Sequence, residues 1–349
     1  MKINKFNINQ NSPCFIIAEL SANHGGDIKI AKESIRAAKR SGANAIKLQT
    51  YKPETMTLNV QKPDFKINGT IWDGKYLYEL YSEACTPWEW HEELFQVAYE
   101  EDIICFSTPF DFSSVDFLES LNVPAYKIAS FEITDIPLIE YIASKGKPVI
   151  LSTGVATLED IESAIATCKQ VNNNNIALLK CTSAYPAPIE EANLIMIQEY
   201  ANKFNVIPGL SDHSLGISLP IIAVSLGAKV IEKHFILDKS IGGPDAKFSL
   251  SETEFKNMVT AVRDAEKAIG TIDYSLTTKQ IESKKFSRSL YFIKGMKKGD
   301  VIKEDSVKPI RPGFGMHPKY LKSILGKTIN SDVEKGDRVL KELINEAFN

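Results

Sequence analysis

Polar and charged residues that could bind anions or a metal lie at the ends of short apolar segments. Lys47 and Gln49 lie in one such segment, and His213 ends another. Glu232 and His234 lie in a third. Residues two apart on a strand face the same side, so each of these pairs shares a face. Polar groups on the inner face of a barrel are costly unless ligands satisfy them. The pattern therefore predicts a pocket in which lysine binds an anionic substrate and histidine binds a cation.

The two histidines His213 and His234 end consecutive apolar segments. If those segments are neighbouring strands, the two imidazoles meet at one edge of the sheet, close to the carboxylate of Glu232. Such a group suits a divalent metal with open coordination positions. Mn2+ and Mg2+ are the candidates, and two histidines do not distinguish them from other divalent metals. Each histidine alone could equally be an ordinary core or surface residue. That plain interpretation applies to His91 and His317, which lack such placement.

The lysines Lys47 and Lys127 lie inside apolar segments, where an unpaired ammonium would be neutralised or destabilising. One interpretation is a Schiff-base lysine, as in barrel aldolases. The other is a clamp for phosphate and carboxylate groups, which is favoured because hydroxyl side chains follow the neighbouring segments. Those hydroxyls belong to Thr108, Ser130, Ser183 and Ser211.

Glu19 ends the first apolar segment and precedes Gly25 and Gly26, which allow a tight turn toward a ligand. Its carboxylate could act as a general base, bind a substrate hydroxyl or simply pair with Lys47. The sequence leaves these three roles open.

Eight apolar segments must position these residues, and they are spaced so that a helix fits between neighbours. They are Cys14–Leu20, Ala45–Thr50, Ile103–Ser107, Ala125–Ala129, Pro148–Ser152, Ile176–Cys181, Ile207–Leu210 and Val230–Phe235. This pattern predicts a (β/α)8 TIM barrel, an α/β fold whose strand ends converge on one mouth. Helices are expected at 27–41, 88–101, 113–120, 135–144, 157–170, 188–203 and 216–227. Residues 1–13 are expected to form a hairpin or strand that closes one end.

The connection 51–87 is too long for a plain crossover. Long loops inside compact domains are usually functional, and this one follows a strand, so it belongs to the mouth of the barrel. We expect it to influence which substrate is accepted.

With 349 residues, of which 44% are hydrophobic, the chain is longer than one ordinary barrel and can form a large core. The barrel is expected over 1–270 and a linker over 271–286, with helices near 252–269 and 277–285. Short strands and turns over 287–349 predict a small, β-rich C-terminal domain.

Charge and composition exclude several classes of protein. A net charge of −3 gives no general attraction to nucleic acid or to an anionic membrane. No signal peptide or membrane-spanning segment is recognisable, so we expect a cytoplasmic protein. The five cysteines form an odd set without CxxC spacing and are interpreted as reduced core residues.

Several long motifs, in order, resemble the sialic acid synthase family. They are Phe15–His24, Lys47–Tyr51, Tyr126–Ser130, Gly209–Ser214 and Ile231–Phe235. Arg288–Tyr291 and Ile310–Gly313 resemble the antifreeze-like (SAF) domain that ends members of this family. The resemblance covers essentially the whole chain and is specific because the motifs occur together.

The resemblance implies condensation of phosphoenolpyruvate with an open-chain amino sugar and water, giving phosphate and a nine-carbon 2-keto acid. It implies catalytic roles for Glu19 and Glu232 and metal binding by His213 and His234. The implied phosphoenolpyruvate ligands are Lys47, Thr108, Lys127, Ser130, Ser183 and Ser211. The implied sugar ligands are Asn23, Gln49, Tyr51, Tyr185, Asp245 and Arg311. It also implies a domain-swapped homodimer in which the SAF domain acts as a lid and brings Arg311 to the partner's site.

Within this family, motifs in and beside the long connection resemble the branch that uses a 2,4-diacetamido-2,4,6-trideoxy-altrose. They are Gln49–Tyr51, Thr55–Leu58, Leu77–Tyr81 and Thr86–His91. Related branches use N-acetylmannosamine or a diacetamido-trideoxy-mannose. Ser183 departs from the asparagine usual in the N-acetylmannosamine branch. A sugar without a 6-hydroxyl suits a more apolar pocket, to which Trp88 or Met56 could contribute.

A function outside enzymology is also considered, in which the C-terminal domain recognises carbohydrate and the barrel is a scaffold. The polar residues at the ends of the eight apolar segments argue against it.

Overall fold

The computed structural model describes residues 1–345 and has a closed barrel of eight parallel strands at its centre. An antiparallel hairpin, β1 (Lys2–Ile3) and β2 (Phe6–Asn7), precedes it. The barrel strands are β3 (Phe15–Glu19), β4 (Ala45–Thr50), β5 (Ile104–Pro109), β6 (Tyr126–Ile128), β7 (Val149–Ser152), β8 (Ile176–Cys181), β9 (Ile207–Asp212) and β10 (Val230–His234). They pair in chain order, and β10 closes the barrel against β3. The predicted TIM barrel is confirmed.

Helices follow the strands, and those outside the long connection 51–87 cover the outside of the barrel. They are α1 (Ile28–Arg40), α2 (Pro53–Met56), α3 (Leu77–Ala84), α4 (His91–Glu100), α5 (Phe112–Ser120), α6 (Ile136–Ser144), α7 (Leu158–Gln170), α8 (Met196–Phe204), α9 (Ser218–Ser225) and α10 (Glu252–Ile269). The prediction of one helix over 188–203 is wrong in its first half. Residues Ile189–Glu191 form a separate 3-10 turn, and Asn193 adopts a left-handed conformation with φ 41° that interrupts the helix.

The long connection 51–87 is folded rather than extended. It contains α2, a 3-10 turn at Pro63–Phe65 and α3. An isolated bridge between Lys66 and Tyr76 closes the intervening segment on itself. The connection therefore presents its side chains from a defined structure.

The interior of the barrel is apolar at its N-terminal end. Ile17, Ala45 and Ile104 pack there with the other inward-facing apolar residues of the strands. The N-terminal hairpin covers this layer through Ile3 and Ile8, which are 0% and 2% exposed. This confirms that the hairpin closes one end and leaves the carboxyl ends of the strands as the mouth.

Strand register brings the chemically active residues together at that mouth. Glu19 on β3 lies opposite both Lys47 on β4 and His234 on β10. Glu232 on β10 lies opposite Ser211 on β9. Because directly paired residues of parallel strands point the same way, these side chains share the barrel interior.

On the outer face of the same strands lies a buried ion pair. Lys233 of β10 donates to a carboxylate oxygen of Asp212 on β9, at 2.5 Å. Its ammonium also donates to the carbonyl of Ser214, at 2.7 Å. The exposed fraction of the Lys233 side chain is 0% and that of Asp212 is 2%. The pair connects β10, which ends at His234, with β9, which ends directly before His213.

The chain divides into two compact units, Met1–Gly270 and Thr271–Asn349. The second unit contains α11 (Thr278–Ser283), the antiparallel strands β11 (Ser289–Phe292) and β12 (Val307–Ile310), and α12 (Leu321–Ile324). It has its own apolar core, which includes Leu290, Phe292 and Ile324.

All five cysteines are free, and four of them are buried. Within residues 1–345, no helix combines the length and apolar composition that a membrane span requires.

Candidate active site

Two lysines and two carboxylates form the buried centre of the mouth. Lys47 Nζ lies 2.8 Å from Glu19 Oε2 and 3.8 Å from Glu232 Oε1. Lys127 Nζ lies 3.9 Å from the same oxygen of Glu232. None of the four residues is more than 5% exposed. Because unpaired charges are costly inside a protein, the alternation of ammonium and carboxylate groups is what makes this cluster tolerable.

The two carboxyls have pKa values shifted in opposite directions. Burial raises the pKa of Glu19 to about 7, a shift that the Lys47 ammonium opposes and the Glu232 carboxylate increases. Burial would also raise the pKa of Glu232, but Lys127 and Lys47 outweigh it and lower that pKa. At neutral pH Glu232 is therefore ionised, whereas Glu19 can exchange a proton.

The two lysines also differ. Burial opposes the charged form of Lys47, but Glu19 and Glu232 outweigh it and raise the pKa of Lys47. Burial lowers the pKa of Lys127, although Glu232 partly compensates. The Lys47 ammonium donates to Thr108 Oγ1 at 3.1 Å, and the Lys127 ammonium donates to Ser152 Oγ at 2.7 Å. Both ammonium groups are therefore fixed in position.

Two hydroxyls meet beside Gly154 to form what we term the serine cradle, consisting of Ser130, Ser183 and Gly154. The amide of Gly154 donates to Ser130 Oγ at 3.1 Å. Ser183 Oγ is buried and has no hydrogen-bond partner. A Cβ atom on Gly154 would lie 2.0 Å from Ser183 Oγ and 2.7 Å from Ser130 Oγ. The cradle thus presents an unsatisfied polar atom in a space that only glycine leaves open.

The imidazoles of His213 and His234 lie together, with ring centroids 5.3 Å apart. His213 Nδ1 lies 3.0 Å from the carbonyl oxygen of Thr182, which can only accept a hydrogen bond. Nδ1 of His213 therefore donates in this bond, and Nε2 of a neutral ring keeps a free electron pair. Burial, aided by the charges of His213 and the nearby lysines, holds the pKa of His234 well below its usual range. A neutral imidazole is the form that binds metal.

The histidine pair fits a divalent cation as part of its ligand set. His234 Nδ1 is buried without a hydrogen-bond partner and lies 3.7 Å from Asp245 Oδ2. Within residues 1–345, no three His, Cys, Asp or Glu side chains are grouped as a complete metal site. A cation held here would therefore need oxygen ligands from water or substrate, which keeps coordination positions open.

Aromatic side chains line the mouth beside the histidine pair. The Tyr185 ring lies 4.4 Å from that of His213 and 5.6 Å from that of Trp72. Phe248 packs against Tyr185 at 5.2 Å and against His234 at 4.8 Å. We term Trp72, Tyr185 and Phe248 the aromatic wall.

The remaining predicted substrate residues fall into two groups. Gln49 lies in the centre, where its amide donates to Glu19 Oε1 at 2.8 Å. Ser211 donates to Glu232 Oε1 at 3.1 Å. Asn23 is 0% exposed, and its amide donates to Phe235 O and Ser249 Oγ, so it is held behind the end of β10.

Tyr51 is 3% exposed and packs between the rings of Tyr81 and Phe110 at the base of the long connection. Arg311 follows β12 in the second unit and is exposed. The structure therefore groups most of the predicted residues at the mouth, whereas Tyr51 and Asn23 occupy supporting positions and Arg311 belongs to the other unit.

Sequence reasoning missed several residues of the site. Ser152 ends β7 and holds Lys127, and its place at the end of an apolar segment was a usable signal. Glu132 follows Ser130 in a 3-10 turn at the mouth, its Oε2 is buried without a partner, and burial raises its pKa to about 7. Trp72 carried no signal beyond its presence in the long connection, because nothing in the sequence shows where that loop folds.

Chemically, the mouth combines fixed cations and hydroxyls for an anion, a carboxyl that can exchange a proton, and two imidazoles, of which that of His234 is neutral. This set can hold a phosphate-bearing acid beside a second, polar substrate. Within 1–345 every one of these groups lies in the first unit.

Comparisons with known proteins agree with this arrangement. The NeuB family model matches residues 34–274, and the SAF domain model matches residues 287–344. The pseudaminic acid synthase of Campylobacter jejuni subsp. jejuni is 51% identical over 336 residues, covering 96% of this chain and 98% of that relative. The pseudaminic acid synthase of Helicobacter pylori is 50% identical over 316 residues, covering 90% and 93%.

Among solved structures, the N-acetylneuraminic acid (sialic acid) synthetase of Leptospira borgpetersenii, in complex with citrate, is 33% identical to this chain. Its TM-score is 0.73, and the match covers 81% of this chain and 94% of that one.

Proposed function

This chain belongs to the NeuB family, and we propose that it catalyses the pseudaminic acid synthase reaction. In that reaction phosphoenolpyruvate condenses with 2,4-diacetamido-2,4,6-trideoxy-β-L-altrose and water to give pseudaminic acid and phosphate. The chain is thus a transferase that forms a carbon–carbon bond. The observation that carries the proposal is the buried Lys47 and Lys127 centre, together with the serine cradle and the histidine pair at the same mouth.

Phosphoenolpyruvate binds at the lysine centre and the cradle. Its carboxylate and phosphate are compensated by the ammonium groups of Lys47 and Lys127. The buried, unpaired Ser183 Oγ gains a partner when the anion arrives, and Ser130, Thr108 and Ser211 supply further hydroxyls. We propose that the enol carbon of the bound molecule then faces the histidine pair.

The amino sugar binds on the outer side of the anion, where Gln49, Tyr185 and Asp245 face the mouth. A divalent cation held by His213 and His234, which we propose to be Mn2+ or Mg2+, would supply Lewis-acid polarisation of the aldehyde oxygen. The neutral state of His234 and its unpaired Nδ1 support a cation bound by these two histidines.

The condensation proceeds in three bond changes. C3 of phosphoenolpyruvate attacks the aldehyde carbon of the sugar, whose oxygen takes up a proton. Water adds to the resulting cationic C2 and gives up a proton. The tetrahedral centre then collapses with cleavage of the C–O bond to phosphate, leaving the 2-keto acid. We assign proton exchange to Glu19, which can both give and take a proton near neutral pH, and we assign charge compensation of the cationic C2 to the ionised Glu232.

We further propose that the active form is a domain-swapped homodimer in which the C-terminal unit brings Arg311 to the sugar site of the partner. The segment that begins this unit supports the idea, because Ile272 and Tyr274 are 94% and 96% exposed in the single chain. Apolar side chains so exposed favour a protein partner. Sedimentation of the full chain tests the oligomeric state directly.

The decisive experiment incubates the metal-loaded protein with phosphoenolpyruvate and each of three sugars: the trideoxy-altrose, its trideoxy-mannose counterpart and N-acetylmannosamine. Phosphate release and product mass are measured. We expect turnover with the trideoxy-altrose, loss of turnover in EDTA and recovery with Mn2+ or Mg2+.

Preference for another sugar would replace the proposed substrate by that of a legionaminate or N-acetylneuraminate synthase. A covalent adduct trapped by borohydride on Lys47 or Lys127 would instead indicate a Schiff-base aldolase. Unchanged biological activity after a combined His213→Ala and His234→Ala substitution would favour a carbohydrate-binding scaffold.

A further inference from the structure

The aromatic wall has a composition that bears on sugar choice. Trp72 comes from the long connection, Tyr185 from the loop after β8 and Phe248 from the segment after β10. Three separate elements thus bring rings to one side of the histidine pair. Trp72 and Tyr185 remain partly accessible, whereas Phe248 is 1% exposed and supports Tyr185 from behind.

The wall offers apolar faces and few hydrogen-bonding groups. The indole N–H of Trp72 already donates to the carbonyl of Pro244, at 3.1 Å. That bond fixes the ring and leaves its face as the only surface it can offer. Phe248 has no polar atom. The Tyr185 hydroxyl is therefore the one side-chain hydrogen-bonding group that the wall could offer to a ligand.

Distances along the wall match the reach of a six-carbon sugar. If the aldehyde C1 lies at the imidazoles, five carbon–carbon bonds of about 1.5 Å each place C6 about 6 Å away in an extended chain, and C6 contacts a ring across a further gap of about 3.5–4 Å. The Tyr185 ring lies 4.4 Å from that of His213, and the Trp72 ring lies a further 5.6 Å from that of Tyr185. An open-chain sugar that follows the wall therefore places its far end at Trp72.

We propose that Trp72 is a specificity-determining residue whose indole face contacts C6 of the sugar and selects a methyl group over a hydroxymethyl group. This inference rests on the proposed function and extends it to the choice of substrate. A 6-hydroxyl held against the indole would lose hydrogen bonds to water without gaining a partner. A 6-methyl group loses none and buries apolar surface.

A second tryptophan provides a matched control. Trp88 also donates its indole N–H to a backbone carbonyl, that of Tyr51, at 3.1 Å. Its ring stacks on Phe117 with centroids 4.5 Å apart. Trp88 is thus chemically equivalent to Trp72, but its ring packs on α5, so the structure does not support the place in the apolar pocket that the sequence suggests for it. Its loss should not affect the contact at C6.

The test compares kcat/KM for the trideoxy-altrose and for the analogue of that sugar carrying a 6-hydroxyl. Apolar pockets reject an added hydroxyl by about 100-fold, and we expect a preference of that order in the unmodified protein. Trp72→Gln should reduce the preference about tenfold, mainly by raising KM for the 6-deoxy sugar. Trp72→Leu, which stays apolar, should retain most of it. Trp88→Phe should leave the ratio unchanged.

The outcomes separate the two proposals. If the unmodified protein does not turn over the trideoxy-altrose at all, the proposed function fails and the role of Trp72 fails with it. If it does, but Trp72→Gln and Trp72→Leu both keep the original ratio, only the role of Trp72 is overturned. Circular dichroism of each variant verifies folding. A variant at Trp72 that lost kcat/KM equally for both sugars would also contradict selection at C6.

Discussion

The serine cradle shows at the scale of single residues how an anion site is kept open. Ser183 Oγ is buried and unpaired, and Ser130 Oγ lies on the other side of the position that a Gly154 side chain would fill. Buried hydroxyls without partners cost stability, so this arrangement is explained by a ligand that completes it. Glycine is needed here for space, since no positive φ is involved.

Gly154→Ala should therefore weaken binding of phosphoenolpyruvate. The added methyl group would force both serine hydroxyls to rotate away, because its Cβ would lie 2.0 and 2.7 Å from them. A hydrogen bond to a charged group contributes about 1.5–3 kcal/mol, so KM for phosphoenolpyruvate should rise about 10- to 100-fold. Steady-state kinetics at saturating sugar measure this change.

The matched control is Gly295→Ala in the second unit, where a Cβ would meet its nearest neighbour at an ordinary 3.5 Å. It should leave KM unchanged. A Gly154→Ala protein with unaltered KM for phosphoenolpyruvate would place the anion elsewhere.

His91 makes stability depend on pH. Its ring is buried against Thr50 Oγ1 and the carbonyl of Pro87, and burial lowers its pKa to about 4. Between pH 6.5 and 4 the unfolded chain binds a proton at His91, whereas the folded chain does not. The free energy of unfolding therefore falls as the pH falls through this range.

His91→Gln removes that contribution. The variant should be less stable than the original at pH 7.5, because Gln cannot reproduce both hydrogen bonds, but the difference should shrink at pH 5. Urea unfolding at the two pH values measures it. A constant difference would show that another group causes the acid sensitivity.

At the scale of elements, His213 directly follows β9 and His234 ends the neighbouring strand β10, and the Lys233–Asp212 pair joins these two strands behind the histidines. Inward positions of these strands hold the groups of the candidate site, and outward positions hold the Lys233–Asp212 ion pair. Each strand thus uses its two faces for different purposes, a consequence of the two-residue period.

Lys233→Met should strongly destabilise the protein. It leaves Asp212 buried without its partner, and breaking a buried pair in this way costs about 3–5 kcal/mol. Replacing both residues, as Asp212→Leu with Lys233→Met, should recover much of the loss. The free energy of unfolding in urea measures both.

The exposed Lys239–Glu254 pair serves as a comparison, because its side chains are 48% and 43% exposed. Lys239→Met should change stability by less than about 1 kcal/mol. Equal effects of the two lysine substitutions would contradict the importance of burial.

Elements whose apolar residues recur with the period of a strand or helix could be predicted from the sequence. Elements whose conformation depends on tertiary contacts could not. The prediction of the strand Ala45–Thr50 is correct to the residue, because apolar Ile46 and Leu48 alternate with polar Lys47 and Gln49 at the two-residue period of a strand. The predicted strand from Ile207 ends too early, at Leu210, because Ser211 and Asp212 are polar, yet both residues continue β9. The same limit applies to the site: Lys47 and His234 follow from strand alternation, whereas Trp72 depends on the fold of a long loop.

At the scale of the whole molecule, two units have separate apolar cores. The core of the second unit is formed by residues between Leu290 and Ile344. Because no buried residue of the barrel core comes from this stretch, each unit contains what it needs to fold.

A chain ending at Lys285 should therefore keep the barrel folded and lose turnover. Removal of a group that positions substrate costs about 100-fold in rate, and Arg311 lies in the removed part. Circular dichroism tests whether the barrel stays folded, and phosphate release tests whether turnover is lost.

The single substitution Arg311→Ala separates the arginine from the rest of the unit, and it should raise KM for the sugar about tenfold. Full turnover by the shortened chain would exclude a role for the second unit in catalysis.

The apolar end of the barrel, covered by the N-terminal hairpin, has a kinetic consequence. Since that end is closed by Ile3 and Ile8, both substrates must enter and leave through the same mouth. The lysine centre lies deep in it, and the aromatic wall lies nearer to solvent. A sugar bound first would obstruct the path of phosphoenolpyruvate, so binding should be ordered, with phosphoenolpyruvate first and the sugar second. The closed end of the barrel thereby determines the sequence of events at the open one.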